Sequence, residues 1–291
     1  MTDEDTPAAP GFRERHFSAQ DGRRLYFRDY GDPNAARLPL LCLGGLTRNS
    51  KDFHLFASRH AAARRVLCLD YRGRGRSEYD SDWRRYDPTV YLDDIRHLLA
   101  ATNCHRVVVV GTSLGGLLAM GLAAMLPTAV AAAVLNDVGP ALEQSGLARI
   151  LSYIGGDRPQ PDWESAIAEL RGLFPDMRFQ TDAEWLAMAR NTFRRGEDGL
   201  LHFDWDPAIA KPLAKGHTVI PDLWQVFGAL GPVPTLALRG ALSTVLSEAT
   251  FGRMAAEKPD LVRVTVPRVG HTPSLDEPEA RAALDAFLAE H

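Results

Sequence analysis

The sequence Val107-Val-Val-Val-Gly111-Thr-Ser113-Leu-Gly115-Gly116 joins a run of valines to a glycine-rich turn that contains a serine. Consecutive valines without alternation are typical of a strand buried on both faces of a parallel sheet. The G-x-S-x-G spacing is typical of a nucleophile elbow, in which the serine occupies a strained turn between a strand and a helix. The small, apolar residues from Leu117 to Met125 predict that helix. Because such a turn can also serve packing alone, Ser113 is at this point a candidate nucleophile.

Composition restricts the class of protein and its partners. The 291 residues, 45% hydrophobic and 24% charged, are typical of a globular protein with one large domain and room for an insertion. A formal net charge of −4 gives no electrostatic reason to expect nucleic acid or an anionic membrane as partner. Residues 1–10 lack a signal-peptide pattern, and the three cysteines lie in or beside apolar runs, as reduced thiols do. We therefore expect a cytoplasmic protein with a small-molecule substrate; the sequence does not predict its oligomeric state.

The order of strand and helix patterns predicts the domain organisation. Strands alternate with helices up to Pro140 and strand signal returns at Val233, which predicts an α/β fold with a doubly wound, mostly parallel sheet. Between these regions helical patterns dominate, one of them opening with a capping box at Thr181 and Glu184. We predict a flexible tail over residues 1–11, an α/β core over residues 12–140 and 231–291, and a helical cap over residues 141–230. Such a cap would control access to the active-site end of the sheet.

Several polar or glycine-rich segments follow predicted strands. In parallel α/β sheets, ligands bind at the carboxyl ends of the strands. Ser113, Asp137 and the pair Gly44-Gly45 all lie at such ends, and His271 follows the last strand. A histidine there, downstream of a serine elbow, is a candidate general base. Gly44-Gly45 either turns backbone N–H groups towards a cavity, as an oxyanion hole requires, or forms a plain turn.

Taken together, five segments of the chain resemble the α/β-hydrolase superfamily, and the resemblance extends from about Phe12 to the end. These segments are Leu43-Gly-Gly-Leu-Thr-Arg-Asn-Ser50, Asp70-Tyr-Arg-Gly-Arg-Gly-Arg-Ser77, Gly111-Thr-Ser-Leu-Gly-Gly116, Leu135-Asn-Asp-Val-Gly-Pro140 and Gly270-His-Thr-Pro273. The resemblance implies that Ser113 is the nucleophile and that His271 acts first as general base and then as general acid. It implies an oxyanion hole formed by the N–H groups of Leu46 and Leu114, and it implies no metal or organic cofactor.

Two positions depart from the pattern of that superfamily. The loop that usually reads His-Gly is Gly44-Gly45 here, which keeps the backbone donors and loses a supporting polar side chain. The acid that usually orients the histidine is replaced by Thr244, which cannot supply the negative charge. Asp137 stands where some members of the superfamily place their acid. It either supplies the missing carboxylate or caps the turn into Gly139-Pro140, and the sequence does not decide between these roles.

Two functional hypotheses follow. The first is a carboxylesterase that forms an acyl-enzyme on Ser113 and acts on esters with small to medium acyl or alcohol groups. Lactones, thioesters, amides and activated carbon–carbon bonds are cleaved with the same machinery, so the sequence leaves the reaction subclass open. The second hypothesis is a protein that keeps the fold but binds a small molecule with weak or no turnover, as the threonine at position 244 indicates.

Overall fold

The computed structural model describes residues 11–175, 177, 179, 181–218 and 221–291, without the side chains of residues 144 and 147. The predicted N-terminal tail, residues 1–11, lies outside this range except for Gly11. Eight strands form one sheet in the order β1-β2-β4-β3-β5-β6-β9-β10. Their bounds are β1 Phe12–Ser18, β2 Arg24–Tyr30, β3 Leu40–Leu43, β4 Val66–Leu69, β5 Val107–Thr112, β6 Val130–Asn136, β9 Thr235–Gly240 and β10 Val262–Val266.

The sheet is mostly parallel. Strand β2 pairs antiparallel with β1 and β4, and every pairing from β4 to β10 is parallel. The predicted hairpin around Asp21-Gly22 is present as β1 and β2. The predicted doubly wound α/β fold is therefore confirmed, with an antiparallel hairpin at one edge of the sheet.

Helices cover both faces of the sheet and bury two apolar layers. Helices α1 and α10 pack on one face, and α2, α3 and α9 pack on the other. Their bounds are α1 His54–His60, α2 Pro88–Ala101, α3 Leu114–Met125, α9 Glu248–Glu257 and α10 Pro278–Glu290. In β5, Val107 and Val109 face one layer and Val108 and Val110 the other, each with 0% exposure. The valine run is thus buried on both faces, because side chains alternate across a strand.

Residues 141–230 are named the insert here, and those of them that the structure describes add no strand to the large sheet. They contribute the helices α4 Gln144–Ile154, α5 Trp163–Leu173, α6 Asp182–Thr192, α7 Lys211–Ala214 and α8 Leu223–Gly228. They also form a separate antiparallel hairpin of β7 Phe193–Arg195 and β8 Leu201–Phe203. This hairpin interrupts the segment that the sequence predicts to be a helical cap. Within the described residues, no helix is long and apolar enough to cross a membrane.

Two backbone hydrogen bonds join the insert to the loop that follows β4. The N–H of Gly75 donates to the carbonyl of Asp204 at 3.0 Å, and the N–H of Asp206 donates to that of Gly73 at 2.8 Å. A Cβ added to Gly73 would lie 2.6 Å from the Tyr86 ring, and its φ of +74° suits glycine. Gly73 is therefore required by the packing of this loop against Tyr86 of the core, while its carbonyl accepts from the insert.

Candidate active site

Ser113 occupies a strained turn between β5 and α3. Its φ is +52° and its ψ is −115°, a conformation that costs energy for any residue other than glycine. A Cβ on Gly111 would lie 2.3 Å from the carbonyl oxygen of Gly115, and a Cβ on Gly115 would lie 2.0 Å from that of Leu43. Both positions therefore exclude any side chain. The G-x-S-x-G spacing is a steric requirement of this turn, which presents the serine at the end of the sheet.

His271 lies against Ser113. It belongs to the loop after β10, and its Nε2 is 3.0 Å from Ser113 Oγ. Its Nδ1 is 2.7 Å from Oδ2 of Asp137. Because a carboxylate only accepts hydrogen bonds, Nδ1 carries the proton and donates it, and Nε2 is left to accept the bond from the serine hydroxyl. The side chain of His271 is 16% exposed and so remains accessible from the pocket.

Asp137 is a fully buried carboxylate at the end of β6, the strand next to β5. Like Ser113 it has a positive φ, +56°. Its Oδ1 accepts from the N–H of Gly240 at 2.8 Å, and its Oδ2 accepts from Ser243 Oγ at 2.6 Å as well as from His271. Three donors thus converge on this carboxylate, and such bonds offset the cost of burying a charge. None of these contacts goes to the turn at Gly139-Pro140.

Thr244 lies elsewhere. It is exposed and contributes to the wall of the pocket beside His271. Its neighbour Ser243 is the residue of this loop that bonds Asp137. The structure therefore brings the imidazole of His271 to Asp137, and position 244 is left on the surface.

The loop after β3 lies beside the serine. A Cβ on Gly45 would be 3.8 Å from the Cβ of Ser113. Within the described part of the chain, the N–H groups of Leu46 and Leu114 donate to no other protein group. Leu114 is the first residue of α3, where the amide N–H has no partner in the helix and the helix dipole favours negative charge. Both predicted oxyanion donors are therefore unused within the described residues, with Leu114 directly after Ser113 and Leu46 directly after Gly45.

Hydrogen bonds from outside fix the backbone of this loop. The carbonyl of Gly44 accepts from Tyr71 Oη at 3.2 Å, and that of Leu46 accepts from Arg74 Nε at 2.8 Å. Arg74 is fully buried and also bonds the hydroxyl of Tyr91 at 2.8 Å. Tyr71 and Arg74 thus supply polar support where the usual histidine is replaced by Gly44.

A narrow pocket, partly open to solvent, lies next to His271. The insert supplies one wall, and the loops after β9 and β10 supply the other. The lining residues are Gly146, Arg149, Ile150, Tyr153, Phe174, Met177, Thr244, Val245, Val269, Gly270, His271 and Thr272. A mostly apolar lining with a few polar groups is typical of small-molecule sites, and here it includes the candidate base His271.

Three kinds of residue at the site were not anticipated from the sequence. Ser243 and Gly240 bond Asp137, Tyr71 and Arg74 bond the loop after β3, and Arg149 lines the pocket. Arg74 lies in the segment Asp70–Ser77 that contributes to the family resemblance, but the sequence does not indicate what it bonds. Among the described residues, no group of three or more His, Cys, Asp or Glu side chains is arranged to hold a metal ion.

Comparison with known proteins agrees with the fold. A profile of the alpha/beta hydrolase family matches residues 40–284. A 3-hydroxybutyrate-oligomer hydrolase of Cupriavidus necator is 36% identical over 91% of this chain and 92% of its own. A 2-(acetamidomethylene)succinate hydrolase of Mesorhizobium japonicum is 27% identical over 82% of this chain and 84% of its own. The crystal structure of an alpha/beta hydrolase from Novosphingobium aromaticivorans superposes with a TM-score of 0.90 at 44% identity, covering 97% of this chain and 99% of that one.

The sheet order, the strand-turn-helix serine and the flanking helices define the class of α/β-hydrolase folds. The chain belongs to the alpha/beta hydrolase family, as the family match and the relatives show. The resemblance inferred from the sequence is thereby confirmed.

Proposed function

We propose that this protein is a serine hydrolase that cleaves carboxylic esters with small to medium acyl or alcohol groups. The observation that carries the proposal is the chain of hydrogen bonds from Ser113 Oγ to His271, at 3.0 Å, and from His271 to Asp137, at 2.7 Å. Such a chain activates a serine that is otherwise a weak nucleophile. The name of the relative from Cupriavidus necator supports an ester substrate, because oligomers of a hydroxy acid are joined through ester bonds.

In the first half of the reaction, Ser113 Oγ attacks the ester carbonyl while His271 Nε2 takes the hydroxyl proton. Asp137 holds the imidazole in the required tautomer and stabilises the imidazolium that forms. The carbonyl oxygen becomes an oxyanion, which accepts hydrogen bonds from the N–H groups of Leu46 and Leu114. The intermediate then expels the alcohol, which receives its proton from His271, and the acyl group stays on Ser113.

In the second half, water attacks the acyl-enzyme and His271 Nε2 takes a proton from it. The same oxyanion donors stabilise the second intermediate. Its collapse releases the carboxylic acid and returns the proton to Ser113 Oγ. No step requires a group that the residues of this chain do not provide.

We assign to the insert the role of a cap that selects a small-molecule substrate. Support comes from the pocket, where insert residues such as Ile150 and Tyr153 face core residues such as His271. A substrate that reaches Ser113 through this pocket contacts both parts of the chain. The insert therefore restricts access to the serine, while the core performs the chemistry.

The alternative function, small-molecule binding without turnover, depended on the threonine at position 244. The contact between His271 and Asp137 removes the reason for it, because a carboxylate is present where the imidazole needs one. We therefore prefer the hydrolase.

A fluorophosphonate probe tests the proposal directly, since it reacts only with an activated serine. We expect one adduct on the wild-type protein by intact-mass spectrometry, mapped to Ser113, and hydrolysis of p-nitrophenyl butyrate. Ser113→Ala abolishes the adduct and lowers kcat by a factor on the order of 10⁵. Ser165→Ala, which removes a serine from α5 outside the pocket, is the matched control and leaves both readouts intact. A folded wild-type protein that takes no probe and hydrolyses no ester in a chromogenic panel contradicts the proposal.

A further inference from the structure

Side chains of the core bond the C-terminal end of helix α6 in the insert. The last four carbonyl groups of a helix have no N–H partner inside the helix itself. In α6, the carbonyl of Ala189 accepts from the N–H of Phe193, and that of Thr192 accepts from the N–H of Asp204 at 2.8 Å. The two carbonyls between them accept hydrogen bonds from outside the insert.

The donors to these two carbonyls belong to the loop after β3. Asn49 Nδ2 donates to the carbonyl of Asn191 at 3.0 Å, and Lys51 Nζ donates to that of Arg190 at 2.8 Å. The positive charge of Lys51 also suits the negative end of the helix dipole. Both side chains bond Oδ2 of Asp204 as well, at 3.2 and 2.9 Å, and Asp204 is buried in the insert. Asn49 and Lys51 therefore cap α6 from the core.

Arg48 adds a third contact from the same loop. Its Nη1 donates to Oγ1 of Thr192, the last residue of α6, at 2.8 Å. Its Nε and Nη2 donate to the two carboxylate oxygens of Asp52, at 2.6 and 2.7 Å, so its charge is paired within the core. The guanidinium of Arg48 is thus held between the insert and the core.

The loop also contains Leu46, whose N–H is one of the two proposed oxyanion donors. The N–H of Arg48 donates to the carbonyl of Gly45 at 3.1 Å, which closes a turn with Leu46 inside it. Tyr71 and Arg74 bond carbonyl groups at the start of this turn, and the contacts with α6 follow directly after it. The position of the Leu46 N–H therefore depends on the insert at one end of the turn and on the core at the other.

We propose that Arg48, Asn49 and Lys51 are positioning residues, through which the insert fixes the oxyanion donor of Leu46. The inference rests on the proposed hydrolase function, because the donor matters only where an oxyanion forms. Oxyanion donors act through their geometry, and a displacement of about 1 Å can lower a rate by about 10². The insert thus has a second role besides limiting access, since its helix α6 keeps the loop in the geometry that the reaction needs.

Lys51→Met tests the inference from the core. It removes the ammonium and keeps an apolar stem, and the side chain is partly exposed, so we expect a folded protein. We expect kcat/KM for p-nitrophenyl butyrate to fall about tenfold, mainly through kcat. The inhibition constant of n-butylboronic acid should rise by a similar factor, because its tetrahedral adduct with an activated serine resembles the transition state. Lys51→Arg restores most of both constants, since a guanidinium also donates to a carbonyl and a carboxylate.

Thr192→Val tests the inference from the insert. It removes the hydroxyl that accepts from Arg48, and we expect both constants to change about threefold in the same directions. Thr181→Ala is the matched control, because it removes a capping threonine at the other end of α6 and leaves both constants unchanged. Unchanged constants in folded Lys51→Met and Thr192→Val proteins overturn the inference. They leave the hydrolase proposal standing, provided that the wild-type protein hydrolyses the ester.

Amide hydrogen exchange separates the two proposals further. The N–H groups of Arg48 and Ser50 are hydrogen-bonded, so their exchange measures how firmly the loop is held. We expect the segment 44–53 to exchange about tenfold faster in Lys51→Met, and at the wild-type rate in Thr181→Ala. Equal exchange in Lys51→Met and the wild-type protein overturns the positioning role, even if the wild-type protein proves to be no esterase.

Discussion

The end of the large sheet and the insert both form the pocket, but they are held in different ways. At the sheet, Ser113 and Asp137 end neighbouring strands with φ of +52° and +56°, and Gly115 leaves no room for a methyl group. In the insert, exposed ion pairs join the elements, as between Arg171 and Asp182. Steric limits on the backbone thus hold the candidate catalytic residues, whereas exposed side-chain ion pairs contribute to holding the insert, which forms one wall of the pocket. Substitutions in the two regions should therefore differ in kind.

Among the variants that compare the two regions, the largest effect is expected from Asp137→Asn. An asparagine keeps an acceptor for the N–H of Gly240 but carries no charge to stabilise imidazolium and does not enforce the tautomer of His271. We expect kcat on p-nitrophenyl butyrate to fall by about 10³ to 10⁴, with labelling by fluorophosphonate slowed in parallel. Steady-state kinetics on protein with an unchanged circular dichroism spectrum measures this.

Thr244→Asp is the comparison variant for the acid. Because Thr244 is exposed and His271 already contacts Asp137, we expect kcat to change less than about threefold. A large gain of activity in this variant would show that position 244 is a vacant acid site. Full activity in Asp137→Asn would contradict the role of Asp137 as the acid.

The two regions should also respond differently to a glycine-to-alanine substitution, as measured by the free energy of unfolding. Gly115→Ala places a Cβ 2.0 Å from the carbonyl oxygen of Leu43, so the helix must move away from the sheet. We expect a loss of about 3 kcal/mol in the free energy of unfolding. Gly172→Ala, in α5 of the insert, meets no atom within 4 Å and should stabilise the protein by up to about 1 kcal/mol. Urea denaturation of both variants measures whether the two changes in unfolding free energy have opposite signs. Changes of the same sign would contradict the difference between the two regions.

The smallest expected effect is a pH dependence of the melting temperature that arises from His202 in the β7–β8 hairpin. His202 lies 2.6 Å from Asp157 and 3.0 Å from Asp198, and these hydrogen bonds, with that to Asp157 the stronger, raise the pKa of its imidazole. Protonated His202 and its two aspartates therefore stabilise the fold fully below pH 6.5, the ordinary pKa of histidine. This stabilisation is lost as the pH rises through the higher pKa that His202 has in the folded protein. Because exposed ion pairs are weak, we expect these interactions to raise the melting temperature by only about 2 °C.

His202→Gln provides the reference for this measurement. Other histidines titrate in both proteins, so the difference in melting temperature between wild type and variant isolates His202. That difference should be largest near pH 6 and should shrink towards pH 9. A difference that grows with pH would mean that the hairpin is held by the neutral imidazole.

The fold was predictable where a local pattern has one meaning. The valine run of β5 and the hairpin at Asp21-Gly22 each give a periodicity or turn signal that matches the structure. The hairpin of β7 and β8 was missed because its strands have three residues each, too few for alternation to show. What joins them is contact in space, such as the stacked rings of Phe193 and Phe203, 4.8 Å apart.

At the candidate site too, local patterns in the sequence were informative and contacts between distant residues were not. Ser113 is marked by its own glycines, and His271 by its place after the last strand. Asp137 was ambiguous because its partners Gly240 and Ser243 lie 103 and 106 residues away along the chain, while its neighbours resemble an ordinary turn. Arg149 gave no signal, since an arginine on an amphipathic helix has the same local pattern whether it meets solvent or a pocket.

The position of Asp137 next to the strand of Ser113 has a consequence for protein engineering. With the proposed acid supplied by β6, the loop after β9 needs only Ser243 to meet it. Ala241, Leu242 and Thr244 are exposed or partly exposed and carry no charge. A library randomised at these three positions therefore varies the loop beside the pocket and leaves the proposed catalytic residues unchanged. No acid in this loop has to be conserved.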